Sequence, residues 1–183
     1  MEQSTTAVAT NWVLDAMHSE VHFKVKHLVI STVTGTFKVF EGAFETVNDD
    51  FSNANISFTA DIKSIDTNQE QRDVHLKSAD FFDAETYPKM SFKSTSFTKE
   101  DDGEYELVGD LTIRDVTKSV KLDVEYGGIA TDFYGNTKAG FELKGKVNRK
   151  DYGLTWSGIT EAGSIVVGED IKLDINVQFA KQV

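Results

Sequence analysis

The chain has 183 residues, a formal net charge of −11 at pH 7 and no cysteine. Its acidic excess would repel a polyphosphate backbone, and it disfavours docking onto an anionic membrane by charge alone. No apolar run approaches the ~20 residues that span a bilayer as a helix. The absence of cysteine excludes disulfides and thiolate chemistry. We therefore expect no nucleic-acid partner and no integral membrane segment.

The composition predicts one folded domain that follows a short lead-in. Apolar residues make up 39% of the chain, which is enough for a sizeable core in a single domain. Residues 1–10 are small and polar, so we predict a flexible lead-in there and the domain over 11–183. The start has neither the basic nor the apolar region of a secretory signal. The expected compartment is the cytoplasm, or the periplasm or exterior if a leader was removed.

Apolar residues alternate with polar ones over most of the chain. Val21, Phe23 and Val25 alternate with His22 and Lys24, which predicts a strand with one buried face. Turn residues such as Asp102-Gly103 separate similar runs further along. These runs lie near residues 33–39, 56–62, 90–97, 105–113, 120–126, 139–147 and 171–179.

About eight long strands result, and they favour an all-β fold built as a single antiparallel barrel, because closure removes exposed strand edges.

One segment breaks the alternation. Thr67 is a suitable N-cap with Glu70 three residues later, so we predict one short helix over about 68–78. Val74 and the pair Phe81-Phe82 are expected to pack on the barrel.

An eight-stranded barrel is the size at which the interior either fills with side chains or holds one small ligand. Gly35, Gly109 and Gly145 lie in phase with inward apolar residues, and they either leave empty volume or mark bulges and corners. If a cavity exists, its predicted apolar lining is Val21, Phe23, Val25, Phe37, Val39, Phe58, Met90, Phe92, Leu111, Ile113, Phe141, Leu143 and Trp156.

Several stretches resemble the YceI-like family of lipocalin-like proteins, in family order and with matching spacing. They are WVLDAMHSEVHFKVKHL at 12–28, STVTGTFKVFEG at 31–42, SIDTNQEQRDVHLKSADFFDAETYPKMSFKST at 64–95, GDLTIRDVTKSVKLDVEY at 109–126 and GNTKAGFELKGKVNRKDYGL at 135–154. The resemblance implies a lipocalin-like barrel with a helix against it and an apolar ligand inside. It does not identify the ligand, because the family's members are associated with different amphiphiles.

The expected function is to bind and carry or sequester a long apolar amphiphile, such as an isoprenoid quinone or a polyprenyl lipid. We expect no catalysis, no metal, and no cofactor apart from that ligand. His27, Arg149 and Asp151 are candidates for contacting the polar head group. For Arg149 a structural salt bridge with Asp151 is favoured over a fork-shaped donor to a phosphate or quinone oxygen.

Two other functions stay open from the sequence. The first is an enzyme acting on a small apolar substrate inside the barrel, with Asp15, His18, Arg149 or Asp151 as its acid-base groups. The second is an interaction module that uses the barrel as a scaffold, for example as a homodimer. A hydrogen-bonded turn is the simpler interpretation of His18.

Overall fold

A computed structural model of the protein describes residues 7–47, 50–158 and 166–183. The predicted lead-in falls partly outside these ranges. Among the described residues, no helix is long and apolar enough to cross a membrane. The strands are β1 Thr10–Leu14, β2 Glu20–His27, β3 Ser31–Phe37, β4 Phe40–Thr46, β5 Asn55–Asp61, β6 Ile65–Asp66, β7 Lys89–Asp101, β8 Glu104–Ile113, β9 Val116–Thr131, β10 Thr137–Asn148 and β11 Val167–Lys181. Helix α1 spans Glu70–Lys77, and three 3₁₀ turns span Ala16–His18, Ile62–Ser64 and Arg149–Tyr152.

Eight of these strands form a closed antiparallel ring in the order β1-β4-β5-β7-β8-β9-β10-β11. The ring closes where β1 pairs with β11, with Trp12 opposite Lys181 and Leu14 opposite Phe179. Every pairing in the ring is antiparallel. The predicted barrel of about eight strands is therefore confirmed.

Strands β2, β3 and β6 extend the ring strands β1, β4 and β5, respectively. Strand β2 continues from β1 along β11, β3 pairs with β2, and β6 pairs with β3. The first three barrel strands are thus each split in two, at residues 15–19, at Lys38-Val39 and at the 3₁₀ turn Ile62–Ser64. Each split lets a long strand bend without losing its neighbours.

The second split explains why the predicted inward position of Val39 was wrong. Gly35 and Phe37 are buried in β3, whereas in β4 the buried residues are Phe44 and Thr46. The residues that point into the barrel have odd numbers before the split and even numbers after it. A shift of one residue exchanges the two faces of a strand. Val39 is consequently 59% exposed, and Phe40 packs against the core in its place.

The predicted helix forms, but it begins at Glu70 with Gln69 as N-cap. Thr67 does not cap it, because its backbone N–H and its hydroxyl both donate to Asp73. The Arg72 Nε in turn donates to the Thr67 hydroxyl at 2.7 Å. Val74 is 61% exposed, so its predicted packing on the barrel was wrong, and Leu76 packs there instead.

Aromatic rings fill one end of the barrel, near the start of β1 and the turn between β9 and β10. Trp12 stacks on Phe44 with ring centroids 5.6 Å apart, and Phe44 meets Phe179 at 4.9 Å. Phe51, on the loop after β4, meets Phe141 edge-on at 5.6 Å. We call this set the aromatic plug: Trp12, Phe44, Phe51, Tyr126, Phe141 and Phe179. The plug confines free volume in the barrel to the α1 end.

The inward glycines do not leave empty space at their own positions. A Cβ at Gly35 would overlap the ring of Phe23, which lies directly across from it in β2. Gly109 is covered in the same way by Phe92, and Gly145 by Leu122. Each glycine lets the covering side chain lie flat on the barrel wall, so its effect on the cavity is indirect.

Replacing Gly35 by alanine is expected to lower the free energy of unfolding by about 1–3 kcal/mol, because the ring of Phe23 must move off the wall. Gly140→Ala is the matched control, since no atom lies within 4 Å of a Cβ there. The control should be neutral or stabilising by up to about 1 kcal/mol. Urea unfolding of both variants measures the difference, and equal stabilities would contradict the covering role of Phe23.

Candidate ligand-binding cavity

A cavity of about 220 Å³ lies inside the barrel. Its wall is formed by inward side chains of the strands, together with Leu76, Phe81 and Phe82 from α1 and the segment after it. The described wall is apolar except for His22, Ser57 and Arg149. Such a wall offers a ligand contact area but few hydrogen bonds.

Most of the predicted lining residues border this cavity. They are Val21, Phe23, Val25, Phe37, Phe58, Met90, Phe92, Leu111, Ile113, Phe141 and Leu143. Val39 lies outside it for the reason given above. Trp156 was also placed wrongly: its ring packs against Phe81 at 5.4 Å and against His75 at 4.8 Å, behind the wall.

Sequence reasoning did not assign several parts of the wall to the lining. Leu76 and Phe82 reach the cavity from outside the strands, and no alternation marks them. Ile171, Leu173 and Ile175 of β11 also border it. The last run of alternating residues already contained these three, so the period-two signal could have identified them.

The cavity opens at the α1 end of the barrel. Phe44 and Phe51 of the aromatic plug are buried, whereas the wall residues Val25, Met90 and Val167 toward the α1 end are partly exposed. We call this end the mouth. It is bounded by α1, by the turn between β2 and β3 and by the segment after β10.

Arg149 is the buried charged residue of the wall, with 4% of its surface exposed. Its guanidinium donates to the carbonyls of Leu154 and Trp156, both at 2.7 Å, and to that of Gly168 at 2.8 Å. A fourth bond, 3.3 Å long, goes to the carbonyl of Val167. Burial lowers the pKa of Arg149, and the charge of Glu169 opposes that shift. Arg149 thus ties the segment after β10 to the start of β11.

The favoured salt bridge between Arg149 and Asp151 was therefore wrong. The 3₁₀ turn Arg149–Tyr152 turns the chain so that Arg149 is buried and Asp151 is exposed. His27, the third head-group candidate, lies at the end of β2, where its carbonyl accepts a bond from the Ile30 N–H at 3.3 Å. Neither His27 nor Asp151 is part of the cavity wall.

Asp15 and His18 lie on the 3₁₀ turn between β1 and β2, away from the cavity wall. The Asp15 carboxylate accepts bonds from the Lys138 ammonium and, at 2.7 Å, from His18 Nδ1. The bond from Lys138 is the main reason that the pKa of Asp15 falls to about 2, and burial partly opposes it. The turn interpretation of His18 agrees with this geometry.

The family model of the YceI-like domain matches residues 12–179. The chain belongs to the YceI-like family. A UPF0312 protein of Staphylococcus aureus strain N315 is 36% identical over 172 residues, which cover 93% of this chain and 98% of the relative.

Solved structures agree with this YceI-like assignment. The YceI protein of Campylobacter jejuni is 36% identical with a TM-score of 0.72, and the match covers 86% of this chain and 90% of that one. A polyisoprenoid binding domain from Saccharophagus degradans has a TM-score of 0.64 at 15% identity, covering 93% and 98% of the two chains. The second likeness shows that the fold is shared.

Replacing Asp15 by asparagine should lower the free energy of unfolding by about 2 kcal/mol at neutral pH. The folded-state pKa, about 2, is below the ordinary 3.8, so the stabilisation is complete above 3.8 and disappears as pH falls through 2. Urea unfolding of wild type and variant should converge in acid. Asp170→Asn, which removes an exposed partner of Lys146, is the control and should change little. A difference that does not depend on pH would contradict this assignment.

Arg149→Lys is expected to cost about 1–3 kcal/mol of unfolding free energy, because an ammonium cannot reach carbonyls on both segments. Lys150→Gln is the control, since Lys150 pairs with Glu169 on the surface and such pairs contribute little. Thermal or urea unfolding separates the two. If both variants lost equal stability, the carbonyl cluster would not be the function of Arg149.

Proposed function

We propose that this protein binds and carries or sequesters a long apolar amphiphile, of the isoprenoid quinone or polyprenyl class, and catalyses no reaction on it. The observation that supports this proposal is an apolar cavity within a closed barrel, plugged by aromatic rings at one end and open at the mouth. We also propose that no cofactor is needed beyond this ligand.

The wall chemistry favours a hydrocarbon chain. Each methylene moved from water into such a cavity contributes roughly 0.8 kcal/mol, so a long tail gains affinity along its length. An apolar wall distinguishes poorly between chains of similar width. The tail is therefore expected to lie among the strand residues and the plug, with the polar head group at the mouth.

Similar proteins support the same class of ligand. The domain from Saccharophagus degradans that shares this fold is described as polyisoprenoid binding. At 15% identity that likeness extends to the fold, so its ligand class supports the proposal only together with the cavity.

The alternative enzyme function has weaker support. Its acid-base candidates do not converge: Asp15 and His18 lie on an outer turn, Asp151 is exposed, and Arg149 alone borders the cavity. An acid-base mechanism needs such groups within reach of one substrate. The scaffold alternative would require a partner or a second copy on the outer face of the barrel.

Mass spectrometry of an organic extract of the purified protein should find one amphiphile per chain. Leu143→Trp should lower that content about tenfold, because the indole occupies the cavity. Lys144→Trp is the matched control, since Lys144 lies next to Leu143 on the outer face of β10 and is exposed. An empty wild-type protein that also rejects added quinones and polyprenyl lipids would overturn the proposal.

A further inference from the structure

The charge of this acidic protein is unevenly distributed. Residues 21–40, which follow Glu20 at the start of β2 and continue through β3 to the first residue of β4, contain three lysines and two histidines but no Asp or Glu. Lys24 pairs with Asp174 at 3.6 Å and Lys38 with Asp66 at 2.7 Å. Lys26 is exposed and has no ion pair with any described residue. In a chain with a net charge of −11, Lys26 thus places a cation that is unpaired among the described residues two positions from the turn between β2 and β3.

The turn at the end of this basic segment consists of apolar residues. Leu28, Val29 and Ile30, here called the mouth turn, connect β2 to β3. Val29 is 68% exposed and Ile30 is 84% exposed. Large aliphatic side chains held in water at a hairpin tip suggest contact with an apolar phase.

The backbone of the mouth turn is strained. Leu28 has φ 52° and Val29 has φ 67°, which is the left-handed region that Asn and Gly adopt easily and that a β-branched residue disfavours. The Leu28 N–H is fixed by a 2.9 Å bond to the carbonyl of Val166. Strain of this kind persists at functional sites more often than elsewhere. An Asn-Gly pair would close the same turn more favourably.

The mouth turn is continuous with the cavity. His27, which directly precedes the mouth turn, pairs with Val167 of β11. Both Val167 and Val25 of β2 are wall residues. The plugged end has acidic residues at a hairpin that form no ion pair with any described residue, since Glu100, Asp101, Asp102 and Glu104 cluster around the turn between β7 and β8. The carboxylates of Glu169 and Asp170 near the mouth instead pair with Lys150 and Lys146. An anionic surface would therefore repel the plugged end more strongly than the mouth turn, which contains no carboxylate.

We propose that the mouth turn inserts into an anionic lipid bilayer, with Lys26 beside the anionic head groups, so that the cavity opens onto the membrane. Apolar side chains flanked by basic residues bind such interfaces through combined burial and charge attraction. This inference rests on the proposed function, since a carrier of amphiphiles must take up and release them at a membrane.

The test is flotation of the full chain with vesicles of phosphatidylcholine, with and without phosphatidylglycerol. Binding should require phosphatidylglycerol and fall about tenfold in Val29→Gly/Ile30→Thr. That double variant should fold at least as stably as wild type, because glycine removes the strain at position 29. Lys26→Gln should weaken binding and reduce its dependence on phosphatidylglycerol.

The matched control is Phe133→Thr/Tyr134→Thr at the plugged end, where these rings are 98% and 87% exposed. It removes two exposed aromatic side chains but should leave vesicle binding unchanged. Loss of binding in this control, equal binding by Val29→Gly/Ile30→Thr, or no binding by wild type would each overturn the inference. Lipid extraction separates the two proposals. A protein that contains lipid but does not bind vesicles refutes only the insertion of the mouth turn. A protein that binds vesicles but contains no lipid, and takes up none that is added, refutes only the proposed ligand binding.

Discussion

The barrel depends on complete pairing of β11, its last strand. One edge of β11 pairs with β10 from Asp170 to Ala180, and the other edge is shared between β2 and β1. The gap between those two strands is also bridged, since the backbone of Gln178 bonds to the Asp15 N–H at 2.8 Å and to the Ser19 hydroxyl at 3.0 Å. An unpaired stretch here would open the ring and expose a strand edge.

The same closure gives Asp15 its role. The split between β1 and β2 needs a turn that faces β11, and Asp15 forms it by accepting the Met17 N–H at 3.1 Å. Lys138 of β10 reaches across β11 to the same carboxylate. Two residues that a motif search would assign to acid-base chemistry, Asp15 and His18, are thus explained by the geometry of closure.

Within the closed ring, the position of the large rings decides where free volume lies. At one end, rings from β1, β4, β9, β10 and β11 meet on the axis with Phe51 between them. Toward the mouth, Phe23 lies flat over Gly35 and Phe92 over Gly109, so these rings line the wall. A chain with 13 phenylalanines therefore keeps a cavity because glycines set the orientation of some of the rings.

The strands and the barrel were predictable from the sequence, because each inward run keeps period two over a long stretch. The predictions that were wrong concern features that depend on contacts between distant segments. Val39 was misplaced because alternation is counted along the chain, whereas the bend at Lys38-Val39 shifts its phase. Asp151 was chosen as the partner of Arg149 for its nearness in sequence, but the partners are carbonyls brought together by folding, as far away as Gly168.

The resemblance to YceI-like proteins supplied the family and fold but could not supply the orientation of a ligand. Four hydrogen bonds from Arg149 already go to backbone carbonyls, so a head group that used this guanidinium would have to displace part of the loop. Burying a polar head group without hydrogen bonds costs several kcal/mol, roughly 2–7. The proposed amphiphile therefore enters tail first, and its head group stays at the mouth. If the mouth lies on a bilayer, the head group remains in the interface while the tail moves from lipid to barrel. Transfer of the amphiphile between bilayer and barrel then avoids the cost of burying its polar head group.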